Sequence, residues 1–546
     1  MKGYGFIRQN IPEFIFGGLF LLFAFRLNLQ FLEGANINHF IAGHDEYLTI
    51  REVYSILEPA SFKNWFLALI GGDILYYGRV VFYTDALIAW LPYEIWGIDG
   101  LVMAVRMSSA IWILVALLVL GKTFIEKDLK ARAVWYLGAA TLHYTLYFLS
   151  MPKPEPLQLV FLSLFFRGLY LSGELKLGKH YFWLGLAFAA KINVLVLLPF
   201  LGFVPLLTHP QGVSFMMLRD TFKSLLFFLG GFFVGIPCLL LTPIKPIYLQ
   251  TYLKDTVFGT KKTYDDPNLG IVDWIQDGLG QEYLYNHWLG YLFLLLVLLV
   301  IVDTTVRLVG KRQFDVSWVS AVAGMLLLMS ILLLTERLWP HYLWTGYILC
   351  WFALVRYAAI HRNSLSFRKY SFVLFTLLFF CWPAFTVFSK TIPDYLTRAS
   401  LPEMIEASES ARDLYGYLHK NYQKKRIGID AGIQYPYEYF LEASTCRNAA
   451  VATTDSCKCT ENIVEWYTDD PHLIWEKSDV VVFNKYHLPL LRSLPTSRGA
   501  KITNDSIYSL FMKNTMTTMH AETHSMTNIF ELDTIIRGNH IYTRTK

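Results

Sequence analysis

The chain has 546 residues, 54% of them hydrophobic and only 17% charged, where soluble domains carry roughly 25% charged residues. That balance excludes an ordinary soluble globule and predicts a polytopic α-helical membrane protein. The formal net charge of +5 is accounted for by basic loops between apolar runs, so it gives no reason to invoke nucleic acid.

Runs of about 20 apolar residues mark spanning helices, and Lys/Arg-rich loops mark the cytoplasmic side. The chain opens without a short apolar region followed by a cleavage site, so the first span, 14–32, reads as uncleaved. Lys2 and Arg8 precede it on the cytoplasmic side. Residues 33–100 then form a first outer loop, too polar and interrupted to span but rich in Trp65, Tyr76, Tyr77, Phe82, Tyr83, Trp90, Tyr93 and Trp96. This mixture predicts juxtamembrane helices lying in the interface, where aromatic rings prefer to sit. Spans are predicted at 101–121, 133–150 and 157–173, separated by the basic loop Lys122 to Arg132 and the outer turn Met151-Pro152-Lys153-Pro154-Glu155-Pro156.

Residues 181–207 are long for one pass and short for two. Read as a tight hairpin, they leave Arg219, Lys223, Arg307, Lys311, Arg312, Arg362 and Arg368 inside; read as one pass, they turn those residues outward. The positive-inside rule favours the hairpin. Further spans at 224–243, 289–309, 317–335, 341–358 and 371–390 bring the total to about eleven. Residues 244–288 form a large outer loop, 1–390 a membrane domain, and 391–546 an extracytoplasmic domain. There a helical stretch alternates with short apolar runs, 426–430 and 479–483, which predicts a small α/β domain with buried parallel strands. Cys238, Cys350 and Cys381 lie in apolar runs and read as small core residues. Cys446 could pair with Cys457 or Cys459 if this last domain is outside.

The unusual polar residues at span ends collect on the outer face. Asp45 and Glu46 follow the first span; a carboxylate there can act as a general base, or Asp45 can simply cap the next helix. Glu155 sits between two prolines that fix the backbone, with Lys153 beside it, as a placed acid and a phosphate cation or as a rigid solvated turn. Glu336-Arg337 leads to His341-Tyr342; Arg337 can grip phosphate oxygens or snorkel from an aromatic belt. Lys191 lies inside a membrane segment, where a lysine costs about 2.5–3.5 kcal/mol, so it should face a polar cavity or an acid. There is no glycine-rich nucleotide loop, no HExxH and no Cys/His metal spacing. With no soluble cytoplasmic domain, a nucleotide sugar has nowhere to bind, whereas a lipid-linked donor needs only an interfacial site.

The order of these features resembles the GT-C superfamily of membrane glycosyltransferases, nearest to its protein O-mannosyltransferase and lipid A aminoarabinose transferase branch. Asp45-Glu46 is similar to the family's acidic motif. Tyr76-Tyr77-Gly78-Arg79, running on to Ile95-Trp96-Gly97, looks like its juxtamembrane helix, and Arg106 like the arginine of the next span. Lys153-Pro154-Glu155-Pro156 is similar to its acid-Pro motif, Ala190-Lys191-Ile192-Asn193 with Pro199 to its hairpin lysine segment, and His341-Tyr342 to its late His-Tyr pair. Two departures stand out: Glu155 replaces the more common Asp, and residues 391–546 do not resemble the β-trefoil of eukaryotic protein O-mannosyltransferases.

The resemblance implies an inverting transfer from a polyprenyl-phosphate sugar to an acceptor hydroxyl, on a glycan, glycolipid or protein, at the outer face of a bacterial inner membrane. Asp45 is then the base, with Glu46 and Glu155 shaping the site. Lys153, Lys191, Arg337, Arg79, His341 and Tyr342 are candidates for the donor phosphate. No cofactor is required, though a divalent cation between Asp45 and Glu155 is compatible with this set. A lipid or glycolipid transporter and a receptor with an outer sensor domain are the competing classes. A transporter would more often carry a repeat relating its halves, and the sequence has none.

Overall fold

The computed structural model describes residues 2–34, 46–59, 61–71, 77–125, 129–170, 178–199, 215–241, 271–311, 315–334, 340–361, 377–397, 402–422, 425–429, 462–465, 478–484 and 530–545, with a few single positions between 243 and 252. The chain divides into two compact units. One comprises 1–26, 74–85 and 106–393; the other comprises 27–73, 86–105 and 394–546.

Helices α1 (Lys2–Gly34), α2 (Glu46–Leu57), α3 (Phe62–Ile70) and α4 (Arg79–Phe124) come first. The long helix α4 differs from expectation. It begins well before the predicted span at 101–121 and contains Gly97 at φ 62° and ψ −141°. In a straight helix the 27 residues from Asp85 to Trp112 would cover about 40 Å, yet Trp112 Nε1 lies 3.5 Å from Asp85 Oδ1. The chain therefore doubles back at Gly97, and α4 is two arms side by side. Only a residue without Cβ takes that backbone conformation cheaply.

The predicted span 133–150 is two helices, α5 (Leu129–Ala140) and α6 (His143–Ser150). The hydroxyl of Thr141 donates to the Leu137 carbonyl at 2.7 Å, and Leu142 is extended at φ −70° and ψ 140°. Beyond them lie α7 (Pro154–Tyr170) and α8 (Tyr181–Ala190), then a 3-10 segment, Ile192–Leu197. Helix α8 stops at Lys191, whose backbone is extended at φ −157° and ψ 131°. The expected hairpin at 181–207 thus breaks at its lysine, while its last residues, 200–207, lie outside the described residues.

Helix α9 (Phe215–Gly235) packs on α8 so closely that a Cβ at Gly185 would sit 2.0 Å from the Phe228 carbonyl oxygen. A Cβ at Gly231 would likewise sit 2.1 Å from that of Phe182. Next come a π-helical stretch (Trp274–Gln281), a helical turn (Glu282–Leu284), α10 (His287–Lys311), α11 (Val316–Leu334), a 3-10 turn (Pro340–Leu343) and α12 (Trp344–His361). Alternating π and α turns run from Leu377–Cys381 to Ile392–Thr397. Among the described residues, four stretches are long and apolar enough to cross a membrane: Ile11–Leu29, Arg79–Phe124, His287–Gly310 and His341–Ile360. Cys238 and Cys350 are buried, but Cys381, expected in the core, is exposed on the same run as exposed Trp382, Phe385 and Phe388. Cys446, Cys457 and Cys459 lie outside the described residues.

In the second unit, α13 (Pro402–Tyr422) accompanies a five-stranded sheet of order β2-β1-β3-β5-β4. Its strands are β1 (Arg426–Ile429), β2 (Asn462–Glu465), β3 (Val480–Asn484), β4 (Phe530–Ile536) and β5 (Asn539–Arg544). Strand β1 pairs in parallel with β2 and β3, and β5 pairs antiparallel with β3 and β4. The two-residue turn Arg537-Gly538 takes positive φ at both positions, 46° and 81°, as hairpin turns that match strand twist require. Helix α13 holds the hairpin through Tyr417 and Tyr422, whose hydroxyls both donate to Asp533 Oδ2 at 2.6 and 2.7 Å. Arg537 spans to Asp413 at 2.6 Å and Glu409 at 2.8 Å.

Two predictions follow from this packing. Gly185→Val forces α8 and α9 apart; it should destabilise the purified protein by about 1–3 kcal/mol, read as a lower midpoint in detergent thermal unfolding. In the sheet unit, the hydrogen bond to Asp533 raises the Tyr417 hydroxyl above its ordinary range, and burial followed by the same carboxylate raises that of Tyr422. Raised phenols stabilise the fold at pH values below the unfolded pKa, about 10, and that contribution disappears as pH climbs through the folded values. Alkaline thermal scans should show this loss in the wild type and a weaker pH dependence in Asp533→Asn.

Candidate active site

Three separate stretches converge on Lys191, all in the first unit. Helix α7 begins with Pro154-Glu155-Pro156. Proline suits the first turn, where the backbone N–H has no helical acceptor, and an acid there meets the positive end of the helix dipole. The Glu155 carboxylate is fully buried and takes the Lys191 ammonium as an ion pair through Oε1. The Lys191 side chain is 13% exposed, so the ammonium is partly shielded from water. Its nitrogen also sits 3.8 Å from the ring centroid of Tyr342, which adds a cation–π contact. Oε2 of Glu155 is buried and has no hydrogen bond among the described residues.

The lysine is fixed at its other end as well. Gln158 lies three residues beyond Glu155, on the same face of α7. Its amide nitrogen donates to the Lys191 carbonyl at 3.1 Å and to Asn193 Oδ1 at 2.7 Å. Its amide oxygen accepts from the Thr345 hydroxyl at 3.3 Å, on α12. The 3-10 turn before α12 carries His341 and Tyr342. The His341 ring lies 5.5 Å from that of Tyr147 and 4.4 Å from that of Tyr342. Trp344 then donates to Thr145 at 3.0 Å, which ties this turn to α6.

The remaining candidates divide. Lys153 is buried, and its backbone N–H lies 3.4 Å from the Ser109 hydroxyl on the second arm of α4. Arg79 is buried at the start of α4, 4.8 Å from the Phe82 ring, and also bonds Tyr83. The preceding Gly78 lies against the last turn of α8, where a Cβ would come within 2.3 Å of the Ala189 carbonyl oxygen. Arg79 thus starts its helix beside the segment that ends in Lys191. Glu46 is buried in the first turn of α2, in the second unit. Asp45, Glu336 and Arg337 lie outside the described residues. No group of three or more metal-ligating side chains occurs among the described residues.

Sequence reasoning singled out Lys191, Glu155 and Tyr342 but missed Gln158 and Thr345. A glutamine one turn after an acid, within an apolar run, was the available signal for Gln158. Another buried acid, Glu282, also escaped notice; it accepts from the Tyr144 hydroxyl at 2.7 Å. It follows a π-helical stretch that periodicity does not reveal.

The arrangement is a lysine ammonium shared between one carboxylate and one ring face. The sequence matches no family model and no curated protein. Solved structures do match. ArnT from Cupriavidus metallidurans bound to undecaprenyl phosphate aligns over 98% of this chain and 98% of its own, at TM-score 0.55 and 10% identity. The apo form of the same protein aligns over 100% and 99%, at TM-score 0.54 and 10% identity. The chain has the GT-C fold. An oligosaccharyltransferase from Archaeoglobus fulgidus in its apo form also aligns, over 86% of this chain and 69% of its own, at TM-score 0.45 and 13% identity. In the first unit of this fold the Glu155–Lys191 pair lies where α7, α8 and α12 approach one another, while Glu13 and Arg132 pair between α1 and α5.

The ion pair makes a stability prediction. Lys191→Met strands the Glu155 carboxylate in a buried site, whereas Glu155→Gln combined with Lys191→Met removes both charges. The double variant should be more stable than the Lys191→Met single variant by about 3–5 kcal/mol, measured by thermal unfolding at neutral pH.

Proposed function

We propose that the protein is an inverting glycosyltransferase. It moves a sugar from a polyprenyl-phosphate donor to an acceptor hydroxyl at the extracytoplasmic face of a bacterial inner membrane. The observation that carries this reading is the Glu155–Lys191–Tyr342 cluster in a chain whose fold matches ArnT along its whole length, ArnT being a protein solved with undecaprenyl phosphate. In this reading the N-terminus is cytoplasmic, residues 391–546 are outside, and the partners are the lipid-linked donor, membrane lipid, and a glycan, glycolipid or protein acceptor.

In the proposed reaction the acceptor oxygen bonds to the anomeric carbon as the bond from that carbon to the phosphate oxygen breaks. The acceptor proton passes to Asp45, and the electron pair leaves with polyprenyl phosphate. Lys191, Lys153, Arg79, Arg337, His341 and Tyr342 stabilise that phosphate. Charge placed where charge develops lowers the barrier most when it is already oriented, and the hold of Glu155 and Gln158 on Lys191 supports such a role. Glu46 and Glu155 shape the site. The reaction as proposed uses no metal. One oxygen of Glu155 already meets an ammonium, which makes it a poor ligand for a second cation.

Purified protein given a polyprenyl-phosphate sugar should release free polyprenyl phosphate, and turnover should be unchanged by EDTA. Asp45→Asn should lower turnover about 10²–10⁴-fold; full activity in that variant would remove Asp45 as the base. Movement of intact lipid without cleavage would favour a transporter.

A further inference from the structure

We propose that Gln158 is a positioning residue that sets the donor-phosphate cation Lys191, an inference that rests on the lipid-phosphate reading above. Lys191 is the point where α8 ends, and its carbonyl faces the core rather than a helical N–H four residues on. The Val194 N–H reaches that carbonyl only at 3.4 Å. The shorter bond comes from the Gln158 amide, at 3.1 Å.

The orientation of that amide is fixed by its neighbours. On its nitrogen side stand three acceptors: the Lys191 carbonyl, Asn193 Oδ1 at 2.7 Å and the Ala187 carbonyl at 3.5 Å. On its oxygen side stands the Thr345 hydroxyl at 3.3 Å. A flipped amide would point its oxygen at the Lys191 and Ala187 carbonyls, which have no proton to give. Gln158 itself is fully buried, so water does not compete for these bonds.

One face of α7 therefore holds the lysine twice. Glu155 takes the ammonium, and Gln158, one turn later, takes the carbonyl of the same residue. If only Glu155 were present, the ammonium would be neutralised but its root on the chain would be free to wind on into helix, turning the side chain away from Tyr342. Thr345 joins this amide to the helix that follows Tyr342. The backbone root, the carboxylate and the ring face are thus set by one connected group of side chains.

The test is a double-variant cycle on the full-length protein, read as binding of undecaprenyl phosphate in detergent. Gln158→Met keeps the side-chain length and loses every bond; it should weaken binding about tenfold, the scale of one or two buried hydrogen bonds. In a Lys191→Met background the same change should alter binding by less than about twofold, because the residue it positions is gone. Thr345→Val releases only the oxygen side of the amide. It should show a smaller loss with the same dependence on Lys191, and it serves if Gln158→Met does not fold. Equal losses with and without Lys191, or wild-type affinity in both variants, would overturn the inference while leaving the donor reading intact. Wild-type protein that fails to bind undecaprenyl phosphate overturns the donor reading instead.

Discussion

The first unit depends on a problem of charge in an apolar setting. Lys191 stands where a lone ammonium is costly, and Glu155 stands where a lone carboxylate is costlier still. Each makes the other tolerable, and the local structure around them serves that pairing. Pro154 and Pro156 fix the turn that presents the acid. Close approach of α8 and α9 through Gly185 and Gly231 fixes the helix that delivers the lysine. Tyr342 covers the ammonium with the negative face of its ring. A buried pair of this kind adds little net stability, whereas loss of either partner alone leaves an uncompensated charge.

Much of this was legible before any coordinates. Apolar runs of spanning length, basic loops and the order of short motifs pointed to the GT-C fold. Lys191 was expected to face a polar cavity or an acid because a lone lysine in that position is costly, and Glu155 is that acid. The reversal at Gly97 was not legible. Pro92, Glu94, Gly97, Asp99 and Gly100 mark an interruption within 79–124, but whether the chain continues or folds back there is decided by one backbone angle and by contacts such as Trp112 against Asp85. The split between α5 and α6 was hidden, since Thr141 and Leu142 carry no proline or glycine to announce it. Gln158 escaped because its partners are a carbonyl exposed by a helix break and a hydroxyl 187 residues away. Neither leaves a mark in local sequence.

Asp45 and Arg337 remain readings of the sequence and of the resemblance that it carries. Glu46 has a definite place, buried at the head of α2. The chemistry proposed for the site therefore rests on two supports of different kind. The proposed phosphate side, Arg337 apart, rests on side chains whose place in the structure is described. The base rests on the position of an acid next to the first span.

The spacing of the ion pair has a consequence for how the chain is made. Glu155 and Lys191 are 36 residues apart, on the consecutive helices α7 and α8, which pack together through Phe161 against Trp183. During synthesis both emerge within seconds of each other at usual elongation rates, about 5–20 residues per second. The two helices can enter the bilayer together as a unit with no net charge at this point, before any later segment exists to shield the lysine. Substituting either partner thus exposes the growing chain to an insertion defect, and a loss of protein in the membrane should be separated from a loss of turnover per molecule.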